Sequence, residues 1–354
     1  MLRLRLPILV ITLLCGSFFF LTMCDYQRLV KKDRDLQSDQ FLTDFSNVVE
    51  TRDLTATWNY LDPGACYDDY LGFLDKAAEY SHPQTDRQIS QAFTKTISSK
   101  PFLTPPPDAL QLRKNIVDRL NIRFLLEGRG KRELRVVVSK EESTPDGVTQ
   151  TLLFRDPWVG TFEGVLLLPK HKNPKSAVLV FHGHGETAQR YLEDFPRIAD
   201  LRARGMAVLL LTMRVNNADA NEDLLSRVFL AHGFTLLGMH EYEMLLGYEY
   251  LYHKLGKHAR YGLIGHSGGS TSGNLLIRIM PVFAAYVSDN TTEYWQPYRS
   301  HINDAIVPSL RPYSRAINDL STSQIPVLRT PYGYAGQWDK IIDFFDRRLN
   351  PGAR

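Results

Sequence analysis

The rhythm of hydrophobic and polar positions changes twice along the chain. Leu6 to Cys24 is a run of 19 uncharged residues, mostly Leu, Ile, Val and Phe, preceded by Arg3 and Arg5. About 20 such residues cross a bilayer as a helix. From 25 to about 130 the pattern is polar and helical. Tyr70-Leu71-Gly72-Phe73-Leu74 and Leu110 to Leu120 each place an apolar face at helical spacing. Asp62-Pro63-Gly64 marks a turn, and Thr104-Pro105-Pro106-Pro107 a stiff connector.

Beyond about 131 the pattern turns to strands. Glu133–Val138, Thr151–Phe154 and Phe162–Leu168 predict antiparallel strands, with Asp146-Gly147 as one of the turns between them. Ala177–Phe181 is a short apolar run suited to a strand buried on both faces. Ala207–Leu211, Tyr261–Ile264, Val282–Val287 and Pro326–Arg329 predict further strands. Helical stretches at 187–204, 222–257, 270–280 and 337–349 alternate with them. This alternation predicts an α/β fold, a mostly parallel sheet with helices on both faces. Three parts result: 1–24 as a transmembrane anchor or signal segment, 25–130 as a helical extension, and 131–350 as the α/β domain.

Composition narrows the partners. The chain has 354 residues, 44% hydrophobic and 23% charged, with a net charge of +3. That is a globular balance, and the charge is too small to point to nucleic acid. Cys15 and Cys24 lie in the apolar run, which leaves Cys66. Neither a disulfide framework nor a cysteine metal site is available. Thr22-Met23-Cys24 is a poor small-x-small cleavage site, so an uncleaved anchor is favoured over a cleaved signal. A lipoprotein signal ending at Cys24 would place bulky Met23 where a small residue is expected. Basic residues flank the run on both sides, so charge does not orient it. The expectation is a membrane-anchored protein with its α/β domain outside the cytoplasm, or a secreted one if the segment is removed.

The candidate chemistry begins at Gly265-His266-Ser267-Gly268-Gly269, between the strand Tyr261–Ile264 and a helix. Strand, tight Gly-x-Ser-x-Gly turn and helix make the context of a nucleophile elbow. Glycines flank such a serine because a Cβ there would meet neighbouring backbone. A second motif, His182-Gly183-His184-Gly185, follows the strand ending at Phe181. Acyl transfer needs backbone N–H groups aimed at a developing oxyanion. One comes from the residue after the nucleophile and one from a loop after an earlier strand. The amides of Gly268 and His184 are the candidates. A metal-binding His-x-His pair is the alternative for this turn, but no third ligand is recognisable.

With both motifs in this order, the chain resembles the α/β-hydrolase superfamily, in particular its dienelactone-hydrolase-like and acetyl-xylan-esterase-like branch. Phe181–Gly185 resembles the oxyanion loop of that branch, and Ile264–Gly269 matches its elbow. Phe234–Met239 with Leu246–Leu251 is similar to the helix before the nucleophile strand. Ser288-Asp289, His301, Ile306-Val307-Pro308 and Asp319-Leu320 resemble the segment after the elbow. The resemblance spans about 131 to 320. It implies a serine hydrolase acting on a carboxylic ester, with a small-molecule substrate and no metal or organic cofactor.

The pattern departs from the superfamily at its end. An acid and a histidine are expected after the serine, in that order. No histidine follows His301, and a Gly-His turn is replaced by Tyr332-Gly333-Tyr334-Ala335-Gly336-Gln337-Trp338. A serine hydroxyl is a poor nucleophile without a base. Three readings stay open. His301 is the base and Asp289, just past the strand Val282–Val287 at the sheet's active edge, orients it, with Asp304 as the alternative acid. Or the histidine is lost, and the fold is a catalytically impaired module that binds a small molecule or a protein. Or an upstream histidine acts: His182, His184, His232 or His240. His266, beside the serine, reads as structural.

Overall fold

The computed structural model describes residues 103, 105–120, 122–128, 134–156, 160–170, 173–183, 186–213, 235–289, 308–330 and 336–350. The apolar run 6–24 and most of the stretch 25–130 lie outside these. Among the described residues no helix is long and apolar enough to cross a membrane.

Eight strands form one sheet: β1 (Arg135–Thr144), β2 (Gly147–Asp156), β3 (Gly160–Pro169), β4 (Ser176–Phe181), β5 (Ala207–Leu211), β6 (Arg260–His266), β7 (Ala285–Asp289) and β8 (Val327–Thr330). Their spatial order is β1-β2-β3-β5-β4-β6-β7-β8. β1, β2, β3 and β5 pair antiparallel, while β5-β4-β6-β7-β8 run parallel. The described helices are α1 (Ala109–Leu120), α2 (Arg123–Gly128), α3 (Ala188–Asp194), α4 (Asp200–Ala203), α5 (Leu236–Leu255), α6 (Gly268–Ile279), α7 (Ser314–Asn318) and α8 (Trp338–Leu349). The expected alternation of strands and helices is present.

Side-chain alternation in the central strands explains why helices cover both faces. Ala177, Leu179 and Phe181 of β4 join Ala207, Leu209 and Leu211 of β5 in one apolar cluster, shared with α1, α5 and α6. Val178, Val180, Val208 and Leu210 point the other way, to α3 and α8. A strand buried on both faces is apolar nearly throughout, as β5 is at every position and β4 is from Ala177 to Phe181, with buried Ser176 at its start donating to Asn350 Oδ1. Each fully buried Leu, Val or Phe stabilises the fold by about 1.5–3 kcal/mol. Helix α1 belongs to the same core: its Leu112, Ile116, Val117 and Leu120 are buried there.

Among the boundaries that differ from those read in the sequence, three have a local reason. The stretch 187–204 is broken rather than one helix. Pro196 cannot continue the hydrogen-bond ladder, so α3 ends, Phe195 takes φ −124° and ψ 62°, and a 3-10 turn leads into α4. Strand β1 extends through the polar run Ser139–Thr144 because it lies at the sheet edge, where its residues are mostly exposed. β7 starts at Ala285 and reaches Asp289, later than the apolar run 282–287 suggested. Its register against β6 carries pairing on to His266 opposite Asp289.

Candidate active site

The parallel strands β4, β6, β7 and β8 end at the same edge of the sheet, delivering His182-Gly183, His266-Ser267, Asp289 and Thr330. Ligands in open α/β sheets bind outside the carboxyl ends of the strands.

Ser267 sits between β6 and the first residue of α6, with φ 51° and ψ −115°. Among the described residues it is the one non-glycine with positive φ. Such a conformation costs about 1–3 kcal/mol and persists where the surroundings over-determine it. The flanking glycines allow the turn. A Cβ on Gly265 would lie 2.4 Å from the carbonyl oxygen of Gly269. One on Gly269 would lie 2.5 Å from the carbonyl oxygen of Phe181, so the elbow packs directly on the end of β4. Gly268 opens α6, and the first N–H groups of a helix have no intrahelical partner.

The elbow is tied to β7. Ser267 N–H donates to the carbonyl of Asp289 at 2.9 Å. Fully buried Ser270 accepts the N–H of Asp289 at 2.9 Å and lies 2.6 Å from its carbonyl oxygen. The Ser270 hydroxyl also contacts the carbonyl of Gly265. Asp289 is wholly buried. Its Oδ2 lies 2.5 Å from Nδ1 of His266, and its Oδ1 accepts from the hydroxyl of Thr330. The His266 ring packs against Tyr191 and Phe195, with centroids 5.9 and 5.5 Å away.

On the β4 side, Gly183 N–H donates to Oε2 of Glu186 at 2.8 Å. Burial pushes the Glu186 carboxyl above its ordinary value, against the opposing pull of the Gly183 amide and His266. Gly183 must be small: a Cβ would lie 2.9 Å from Cδ2 of His266 and 3.2 Å from Cβ of Ser267. Buried His182 receives the Met213 N–H on Nε2 at 2.9 Å. Its Nδ1 therefore carries the proton and donates to the carbonyl of Gly183 at 2.8 Å.

The structure thus brings Ser267, Gly268, His266, Asp289, Gly183 and Glu186 together. His184, Asp304, His301 and His232 lie outside the described residues. Two of the upstream histidines are placed: His182 has both ring nitrogens engaged, and His240 is fully buried in α5. Two features are not legible in the sequence. His266 reads there as structural, and its ring also meets Asp289. The Glu186 carboxylate accepts the Gly183 N–H. Only the strand register could have signalled the first. Among the described residues no group of three or more His, Cys, Asp or Glu is placed to hold a metal ion.

Two solved structures share this architecture. One, assigned as an acetyl xylan esterase of Bacteroides fragilis NCTC 9343, has a TM-score of 0.52 at 15% identity, over 63% of this chain and 66% of its own. The second, a methylesterase, has a TM-score of 0.50 at 15% identity, over 73% of this chain and 65% of its own. The fold is that of the α/β hydrolases. This chain spans just under two thirds of the length of either structure. No family model and no curated protein sequence matches the chain. Within the hydrolase fold, Ser267 occupies the turn between a parallel strand and the N-terminus of the helix after it.

Proposed function

We propose that the protein is a serine hydrolase acting on a carboxylic ester. The observation that carries this reading is the strained backbone of Ser267, at the mouth of a parallel sheet and the N-terminus of α6. Both solved structures named above are described as esterases, which supports an ester over other acyl substrates. Ser267 Oγ attacks the carbonyl carbon as its proton passes to an imidazole. The amides of His184 and Gly268 stabilise the oxyanion, each contributing roughly 10²–10³ in kcat. Collapse expels the alcohol, which takes the proton back, and water then releases the acyl group by the reverse sequence. No metal or organic cofactor is required by this chemistry.

His301 is the base in this reading, because it is the one histidine that follows Ser267 in the sequence. Asp289 is the acid expected from the sequence to orient it, with Asp304 as the alternative. The buried carboxylate of Asp289 already holds His266 and Thr330, which favours Asp304, although it follows His301 and so departs from the order of acid then histidine. The same observation supports a second reading, an impaired hydrolase-fold module that binds a small molecule or a protein. Hydrolysis of p-nitrophenyl acetate separates the two. Turnover lost in both Ser267→Ala and His301→Ala supports the esterase. Equal rates with and without Ser267 support the binding module. Attachment to a membrane through 6–24, with this domain outside the cytoplasm, completes the proposal.

A further inference from the structure

Asp289 ends β7 with its main-chain and side-chain polar groups directed at its neighbours in the sheet edge. Its carbonyl takes the Ser267 N–H at 2.9 Å, and its Oδ2 meets His266 Nδ1 at 2.5 Å. One residue therefore holds both the N–H of the 266–267 peptide and the ring of His266. His266 in turn is wedged between Asp289, the Gly183 turn and the rings of Tyr191 and Phe195. Thr330 occupies the other carboxylate oxygen, and the aspartate has no exposed surface. Another imidazole would have to enter a site without solvent access and displace one of these partners.

We infer that Asp289 and His266 are positioning residues that clamp the strained backbone of Ser267, and that Asp289 does not orient the proton-accepting histidine. This rests on the serine-hydrolase reading only for its activity readout. A φ of 51° is held against relaxation by contacts on its own peptide. Releasing the ring frees the turn to rotate, and the serine hydroxyl moves off its line of attack.

Two readouts on the full chain test the clamp: hydrogen exchange of the 265–270 segment, and the rate of Ser267 labelling by a fluorophosphonate. His266→Ala is expected to speed exchange at least about tenfold and slow labelling roughly 10–100-fold. His266→Asn, whose amide N–H can stand in for Nδ1–H, is expected to restore both to within about threefold of wild type. Unchanged exchange in His266→Ala overturns the clamp. So does a His266→Asn variant with wild-type exchange but labelling as slow as His266→Ala, because the ring would then carry the proton. If His266→Ala does not fold, Thr330→Val is read in the same way: faster exchange supports the clamp and unchanged exchange overturns it. A wild type that does not label removes the serine-hydrolase reading and leaves exchange alone to decide.

Discussion

The amide of Ser267 donates to the carbonyl of Asp289 at 2.9 Å, so the elbow hangs from the end of the neighbouring strand. Parallel pairing of β6 with β7 makes this possible by setting His266 opposite Asp289. The turn is therefore a product of sheet register as much as of its own glycines. Its stability should respond to residues on three strands.

Ser270→Ala tests the tie between the elbow and β7. The hydroxyl is fully buried and serves Asp289 on both its N–H and its carbonyl sides. Its removal leaves the buried Asp289 N–H without that partner, at a cost of about 1–3 kcal/mol. Denaturant midpoints at unchanged slope measure it. A variant as stable as wild type would contradict the contact.

Gly269→Ala tests the packing of the elbow on β4. The new Cβ would lie 2.5 Å from the carbonyl oxygen of Phe181 and 2.6 Å from that of His182. Backbone cannot yield as a flexible side chain does, so we expect a loss of about 1–3 kcal/mol. Thermal unfolding of the variant beside wild type reads it.

Glu186 predicts a pH effect. Burial raises its carboxyl above the ordinary value of 4.5. A raised folded-state value means that the native protein binds this proton more tightly than the unfolded chain. The stability it brings is full below the unfolded value and is lost as pH rises through the folded one. Glu186→Gln is neutral throughout and can still accept from Gly183 N–H. It should gain stability relative to wild type as pH rises from about 4 to about 7. Thermal melts in matched buffers across that range check the sign, and a difference independent of pH would count against it.

Phe345→Ala tests the other face of the sheet. Phe345 of α8 is fully buried, and its ring lies where a Cβ on Gly262 of β6 would be, 2.6 Å away. The lost apolar contact and the remaining cavity should cost about 3–5 kcal/mol. The midpoint of chemical denaturation measures it directly.

Much of the architecture was legible because Ala177–Phe181 and Ala207–Leu211 are unbroken apolar runs and the helices between strands keep a helical period. The Gly-x-Ser-x-Gly turn was legible because its glycines are demanded by distances of 2.4 and 2.5 Å to backbone. The partner of His266 was not. Contact between residues 23 apart depends on which strands lie side by side and in what register. Glu186 was hidden for a similar reason: a carboxylate three residues past a glycine carries no motif until the turn brings it to the Gly183 amide. Pro196 lies inside the stretch 187–204 and breaks the helix that the alternation of strands and helices predicts there.

The central claim is an activated serine at position 267. Incubation of the full chain with a fluorophosphonate, followed by intact-mass analysis and peptide mapping, tests it most directly. One adduct is expected on the peptide containing Ser267, absent from Ser267→Ala. A wild type that gains no adduct, or gains it elsewhere and keeps it in Ser267→Ala, would contradict the account.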